Sequence, residues 1–332
     1  MKKISILVPC YNEENNVKPM VEVLTSIMEE YRNKYEYEII LRDNASTDKT
    51  QRIMRQLATD DKRIKVIVNS RNYGVNASKN TYKGRVSGDV VISIPCDFQE
   101  PPELIPKFIS WWEKGYEAVC GQKTASKEGK IKYSFRQIYY SIIDKFSEIP
   151  QYRNMSGIVL VSRRIFDLSA QYCDVPMRYF LADIGCDVKL IQYEQQKRRA
   201  GKSSYNIWRY LSFAVYSLTS VSTTPLRLVS VVGFVMSFFS FLAGLVYLVF
   251  KLIWWNRFVA GTAPMLIGIF FLGSIQMFFI GVVGEYVGIT LRKVSKSSPP
   301  LVKELINFDN PDNDPYLFRS EIHEDIHTDS DE

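Results

Sequence analysis

Asp97 is where the residue types first suggest chemistry. It follows an apolar run, Val90 to Ile94, and a short polar turn then leads to a helix opened by Pro101-Pro102-Glu103. A carboxylate at the mouth of a parallel sheet is where a metal-bound nucleotide sits, because open α/β sheets bind ligands beyond the carboxyl ends of their strands. Metal sites of this kind usually use two acids, and the position two before Asp97 is Pro95. "VPCYNEENN" supplies a strand end, a turn, an aromatic ring and then acids, a set suited to stacking and holding a base and ribose. "LRDNASTDKT" puts Asp43 at another strand tip in the crevice, with Ser46 or Asp48 placed to cap the following helix. The only two histidines lie in "HEDIH", His323 to His327, which matches the H-E-x-x-H zinc pattern by letter. That segment stands among acids with no apolar face to hold a helix, so it reads as a chance match. Catalysis in the body of the chain then falls to carboxylates, bases or phosphates.

The elements that must position these groups follow from the apolar pattern. Strand candidates Ile4–Val8, Glu38–Leu41, Ile64–Val68, Val90–Ile94 and Ala118–Gly121 alternate with helical patterns over 15–31, 48–59, 75–86 and 103–114. Such spacing suits right-handed crossovers and predicts an α/β fold with a mostly parallel, doubly wound sheet. Pro9 to Glu14, Asp43 to Asp48, Asn69 to Gly74 and Pro95 to Glu100 all fall on its rim.

No charged residue occurs from Leu228 to Phe250 or from Phe258 to Gly284. Each run exceeds the roughly 20 residues that cross a bilayer, so two membrane helices are expected. Arg209 and Arg227 before the first run, and Arg292, Lys293 and Lys296 after the second, place both termini in the cytoplasm by the positive-inside rule. The stretch from Asn206 reads as helices lying in the membrane interface, with an ordinary domain helix as the alternative. The expected organisation is a cytosolic domain over 1–205, interfacial helices over 206–227, a membrane hairpin over 228–290 and a cytosolic tail over 291–332, acidic and disordered from 309.

The net charge of +6 is uneven: residues 309–332 hold nine acids and one base, which leaves about +14 on the rest. A basic body favours nucleic acid, anionic lipid or phosphorylated substrates. Five cysteines without a C-x-x-C spacing suggest neither a disulfide framework nor a zinc ribbon, and the six-residue apolar run near the N-terminus is no signal peptide.

"ISILVPCYNEENN", "EIILRDNASTDKT", "NSRNYGVNASKNTYKG", "GDVVISIPCDFQEPPELI" and "KRRAGKSSYN" occur in the order and spacing of glycosyltransferase family 2. More narrowly, residues 1 to about 307 resemble the polyisoprenyl-phosphate (undecaprenyl-phosphate) glycosyltransferases, relatives of dolichol-phosphate mannose synthase, whose bacterial members carry two C-terminal membrane helices. The resemblance implies a GT-A fold, a nucleotide-sugar donor, a divalent metal (Mg²⁺ or Mn²⁺) and a polyprenyl phosphate acceptor. It implies no nucleic-acid partner, places the protein in the bacterial cytoplasmic membrane, and leaves a homo-oligomer open. By position, Pro9, Tyr11, Glu13 and Asp43 would contact the nucleotide, and Asp97 and Gln99 would match the metal-and-diphosphate motif. Arg136, Arg198, Arg199, Lys202 and Ser203 would meet phosphate groups, Arg198 also bearing on catalysis. "KRRAGKSSY" has a second reading as a basic run facing anionic headgroups.

Two positions depart from the family pattern. Many relatives have D-x-D where this chain has Pro95-Cys96-Asp97, and some place Asp before an S-G pair where this chain has Arg153 in "RNMSG". A lipid phosphate has its second pKa near 6, by analogy with phosphoamino acids, so it is mostly dianionic and needs no strong base. A sugar hydroxyl would need one. The missing acid therefore favours a phosphate acceptor, which Arg153 would help to dock; plain solvent exposure of Arg153 is the alternative. The expected activity is inverting transfer from a UDP-sugar to undecaprenyl phosphate. A nucleotide-sugar-binding scaffold or sensor and a processive polysaccharide synthase are the alternatives. The second lacks support, because no Q-x-x-R-W motif occurs.

Overall fold

The computed structural model describes residues 1–74, 78–124, 152, 154–169, 177–196, 224–253, 262–294, 300–309 and 311–318. The chain divides into two compact units, one of Met1–Tyr133, Gln151–Ser204 and Ser298–Glu332, the other of Ser134–Pro150 and Tyr205–Ser297.

The first unit is built on strands β1 (Lys2–Cys10), β2 (Tyr35–Asp43), β3 (Ile64–Asn69), β4 (Val90–Ser93), β5 (Ala118–Lys123), β6 (Met155–Ser162), β7 (Val188–Tyr193) and β8 (Val302–Ile306). They form one sheet in the order β7-β5-β6-β4-β1-β2-β3-β8. The sheet is more mixed than the crossover spacing predicts: four pairings are parallel, while β6 runs antiparallel to β4 and β5, and β8 antiparallel to β3. The helices are α1 (Val17–Glu29), α2 (Thr50–Asp60), α3 (Ile105–Glu113), α4 (Arg163–Ser169) and α5 (Met177–Asp183). Over the pattern at 75–86, the described part holds only a 3₁₀ turn, Ser78–Tyr82.

Both faces of the central strands are covered, so these read as continuous apolar runs rather than alternating ones. Ile39 and Leu41 of β2 face one core with α1, α2 and α3, while Ile40 faces a second core with Tyr82, Ile165 and Phe180. Along α1 the residues Val17, Met20, Val21, Leu24 and Met28 are buried, the spacing of one helical stripe. Truncating Leu24 or Met28 to Ala would cost about 2–5 kcal/mol. Beneath β2, Glu38 is buried with Lys65 at 2.8 Å and with hydrogen bonds from Ser5 and Ser87. Burial pushes its carboxyl up, and the bonds from Lys65, Ser5 and Ser87 outweigh that, bringing its pKa down to about 2.

Order extends further into the tail than the sequence predicts. β8 lines the edge of β3, Glu304 pairs with Arg55 at 2.7 Å, and Asp314 takes two 2.6 Å hydrogen bonds from the buried Arg85. Tyr316 O accepts Val302 N–H at 2.8 Å, and a 3₁₀ turn covers Pro311–Asn313. Net acidity did not keep this stretch in solvent, because β8 pairs with an open sheet edge, Glu304 meets the half-exposed Arg55 and Asp314 meets the buried Arg85.

The second unit, as described, is a pair of long helices, α6 (Thr224–Ile253) and α7 (Thr262–Val294). A Cβ at Gly233 of α6 would stand 3.0 Å from the Phe279 ring of α7, so glycine permits the close approach there. Large apolar side chains face outward on both, Phe234 at 76% and Met277 at 72% exposure. Among the described residues, one stretch is long and apolar enough to cross a membrane, Phe271–Gly288 in α7, where the sequence predicts two. The interfacial stretch 206–223 lies outside the described residues.

Candidate active site

The carboxyl ends of β1, β2 and β3 are level, with Cys10 beside Asp43 and Asp43 beside Val68. After β1 the chain turns at Asn12, whose φ of +56° is left-handed; after β2 it turns at Ala45, φ +60°. These two turns hold each other: Asn12 N–H donates to Ser46 Oγ and Thr47 N–H to Asn12 Oδ1, both at 2.9 Å. Asp48 Oδ1 accepts Thr50 N–H at the start of α2, the capping role the sequence suggests.

Asp43 is fully buried. Its Oδ2 accepts Ser46 N–H at 3.0 Å and Gln51 Nε2–H at 2.8 Å, while its Oδ1 has no hydrogen-bond partner. A buried carboxylate oxygen without a donor is costly, which marks it as poised for a group not present. Next to it, Asn44 donates to Asn72 Oδ1 at 2.9 Å, and its Oδ1 accepts from Asn69 at 3.0 Å and from Tyr73 N–H at 3.2 Å. The Asn44 side chain therefore builds the rim by hydrogen bonding. Tyr11 is 40% exposed at the mouth, with Pro9 half-buried behind it. Glu13 turns inward, taking Asn16 Nδ2–H at 2.6 Å.

The loop after β4 carries Asp97. Asp97 Oδ1 accepts Gln99 N–H at 3.2 Å, and between them Phe98 takes φ +59°, an unusual conformation for a bulky residue. Pro95 lies over Gly157 of β6, where a Cβ would come within 2.7 Å of Pro95 Cγ. Glu100, also buried, meets Lys123 Nζ at 3.2 Å and accepts the Tyr193 hydroxyl at 3.3 Å. Cys10 and Cys96 are buried beneath the rim, and burial, then the neighbouring Cys96, pushes the Cys10 thiol well up.

Among the described residues, no three His, Cys, Asp or Glu side chains converge as a metal cage. Asp97, half-buried, is the carboxylate this loop offers, and Gln99 Oε1 accepts Gln195 Nε2–H at 3.3 Å. That donor set fits Mg²⁺ held by one carboxylate and substrate phosphates, not an all-protein site.

The structure thus gathers Pro9, Tyr11, Glu13 and Asp43 on adjoining strand ends, with Asp97 and Gln99 on the loop after β4. Arg136, Arg153, Arg198, Arg199, Lys202 and Ser203 lie outside the described residues, as do His323 and His327. Sequence reasoning named Asn69 only as part of the rim and did not single out Gln51, Lys123, Gly157, Tyr193 or Gln195. Only Gly157 carried a signal, as the glycine of the S-G pair.

A crevice at the carboxyl ends of parallel strands is where open α/β sheets bind their ligands. Residues 5–168 match Glycosyl transferase family 2, and residues 224–289 match the GtrB C-terminal hairpin. The chain is 30% identical over 306 residues to a prophage bactoprenol glucosyl transferase homolog of Escherichia coli K12, covering 91% of this chain and 99% of that protein. It is 31% identical over 289 residues to the bactoprenol glucosyl transferase of Shigella phage SfV, covering 86% and 93%. A glucosyl-3-phosphoglycerate synthase from Mycobacterium tuberculosis, solved with Mn²⁺, UDP and phosphoglyceric acid, superposes with a TM-score of 0.48 at 16% identity, covering 66% of this chain and 76% of that one. The chain belongs to glycosyl transferase family 2 and is a glycosyltransferase.

Proposed function

We propose that this enzyme transfers a sugar from a UDP-sugar to undecaprenyl (bactoprenol) phosphate, with inversion, at the cytoplasmic face of the membrane. One observation carries the reading: relatives named as bactoprenol glucosyl transferases align over nearly their whole length, apolar helices included. The crevice supports it. Tyr11 offers a ring for the base to stack on, and the unpartnered Asp43 Oδ1 offers an acceptor to an N–H of a pyrimidine. Pro9 and Glu13 complete the donor wall.

The lipid phosphate oxygen forms a bond to the anomeric carbon from the face opposite the leaving diphosphate. The bond from that carbon to the diphosphate oxygen breaks, and UDP leaves with the electron pair. A dianionic phosphate brings no proton to be removed, so its attack requires no strong base. A bound Mg²⁺ or Mn²⁺ would neutralise charge on the departing diphosphate, with Asp97 and Gln99 as its protein-side groups. The basic residues Arg136, Arg153, Arg198, Arg199 and Lys202, with the Ser203 hydroxyl, are assigned to the phosphates. In this reading α6 and α7 form a membrane hairpin within 228–290, following interfacial helices over 206–227, and the 1–205 domain with β8 is cytosolic. The outward Phe234, Phe239, Met277 and Phe278 are at ease in lipid and costly in water.

The test uses full-length protein in lipid nanodiscs with undecaprenyl phosphate, Mg²⁺ or Mn²⁺ and a panel of UDP-sugars, read by mass spectrometry of the lipid. A phosphate-linked monosaccharide is expected. If every donor fails although UDP-sugar binds by calorimetry, the protein is a nucleotide-sugar-binding scaffold instead.

A further inference from the structure

Cys10 and Cys96 stand at the roots of the two loops that make the crevice, one residue before Tyr11 and one before Asp97. β1 and β4 pair in parallel from Ile4 with Val90 to Leu7 with Ser93, and Ile94 N–H donates to Leu7 O at 3.0 Å. The same offset, carried three positions past Leu7 and Ser93, sets Cys10 against Cys96. Both are buried, 3% and 2% exposed, in one core with Val8 and Ile94, and both are free thiols. Their side chains are in hydrogen-bonding contact. Neighbouring strands lie about 4.8 Å apart, inside the roughly 4.4–6.8 Å between Cα atoms that a disulfide spans. Cys10 also lies beside Asp43, and its carbonyl accepts Asn44 N–H at 3.0 Å, so a shift there reaches the turn after β2 as well.

We propose that Cys10 and Cys96 are a modification site: a two-electron oxidant joins them in a disulfide that ties the Tyr11 turn to the Asp97 loop and disables the donor crevice. Each thiol gives up its hydrogen as the S–S bond forms, and the two electrons and two protons pass to the oxidant. With diamide, an azo oxidant, both hydrogens end on the nitrogens of its N=N bond, leaving a hydrazine. Drawing two touching sulfurs into one bond moves both loop roots, and a misplacement of about 1 Å at a reacting group can cost about 100-fold in rate. Cys120 and Cys186, the other free thiols among the described residues, pack in the second core instead. The pairing stands on the strand register; its effect on the donor rests on the transferase reading above.

The test treats full-length protein in lipid nanodiscs with diamide, digests it without reduction and reads the peptides by mass spectrometry. A linked pair of peptides carrying Cys10 and Cys96, lighter by two hydrogens, is expected. The Kd for UDP by calorimetry should rise about tenfold, and dithiothreitol should restore it. Cys96→Ala, treated in the same way, should keep its UDP affinity. Absence of the linked pair overturns the proposal, as does a linked pair with UDP affinity and turnover unchanged. A loss of UDP binding that Cys96→Ala shares assigns the effect to another thiol and overturns it too. Should Cys96→Ala fail to fold, the linked peptide and the UDP affinity of the wild-type chain decide. A reduced wild-type chain that binds no UDP and makes no lipid-linked sugar overturns the functional reading, while the linked peptide still decides the pairing.

Discussion

β1, β2 and β3 run parallel and end level at the rim, whereas β6 runs antiparallel between β4 and β5 and hands over to β7 at the far edge. On the first side, the turns after β1 and β2 satisfy one another, Asn12 with Ser46 and Thr47, and Asp43 with Ser46 and Gln51. On the second, the loop bearing Asp97 takes its shape from β5, β6 and β7, through Lys123, Gly157, Tyr193 and Gln195. In the proposed reading the parallel side, held together turn to neighbouring turn, binds the nucleotide, and the mixed side, shaped by contacts from β5, β6 and β7, carries the reacting groups.

The sharpest way to break that contrast is at Asp97. Asp97→Asn should lower kcat about 100-fold or more, the scale of losing a group aimed at developing charge, while UDP still binds by calorimetry. Full activity would move the reacting surface elsewhere. Asp43→Asn comes next: it should weaken UDP about tenfold, with a smaller change in kcat, because it alters a binding oxygen on the parallel side. An effect confined to kcat would erase the division.

Glu38→Gln probes the foundation rather than the rim. It breaks a buried ion cluster, so thermal unfolding should show a loss of about 3 kcal/mol, with UDP affinity intact. The Glu38 carboxyl lies at about 2 in the folded chain against an ordinary 4.5. Its stabilising contribution is therefore complete above about 4.5 and fades as pH falls toward 2. The variant should lose that acid-side slope; retention of the slope would mean another carboxylate dominates it. The smallest effect is expected at Arg164, whose pair with Glu117 is exposed at 68% and 41%. Arg164→Ala should leave the thermal midpoint unchanged within error, because an exposed pair of this kind is screened by solvent.

Legibility from the sequence divides along the same line. Ile4–Val8, Glu38–Leu41, Ile64–Val68, Val90–Ile94 and Ala118–Gly121 all lie within or across β1 to β5. Those strands are buried on both faces and followed by turn residues, so composition alone reveals them. Asp43 and Asp97 were legible because a strand tip is where such a sheet binds. β6, β7 and β8 were not: Val188–Tyr193 and Val302–Ile306 are short, polar-interrupted segments whose strand character comes from their neighbours. The contacts of Gln195 and Tyr193 were equally hidden, since Gln99 and Gln195 are 96 residues apart and no local pattern joins them. Asn44 gains its meaning from Asn69 and Asn72, which the chain brings to it from the next strand end.

β8 is also the last strand to be synthesised. Until residue 306 has been made, β3 ends the sheet with unpaired backbone groups, Arg55 lacks Glu304, and Arg85 lacks Asp314. Both long apolar helices precede it in the chain. A nascent polypeptide released after α7 but before β8 would carry an open edge able to pair with any neighbouring strand. Closing the β3 edge therefore requires the chain beyond both long helices, and a product truncated before β8 would leave that edge open.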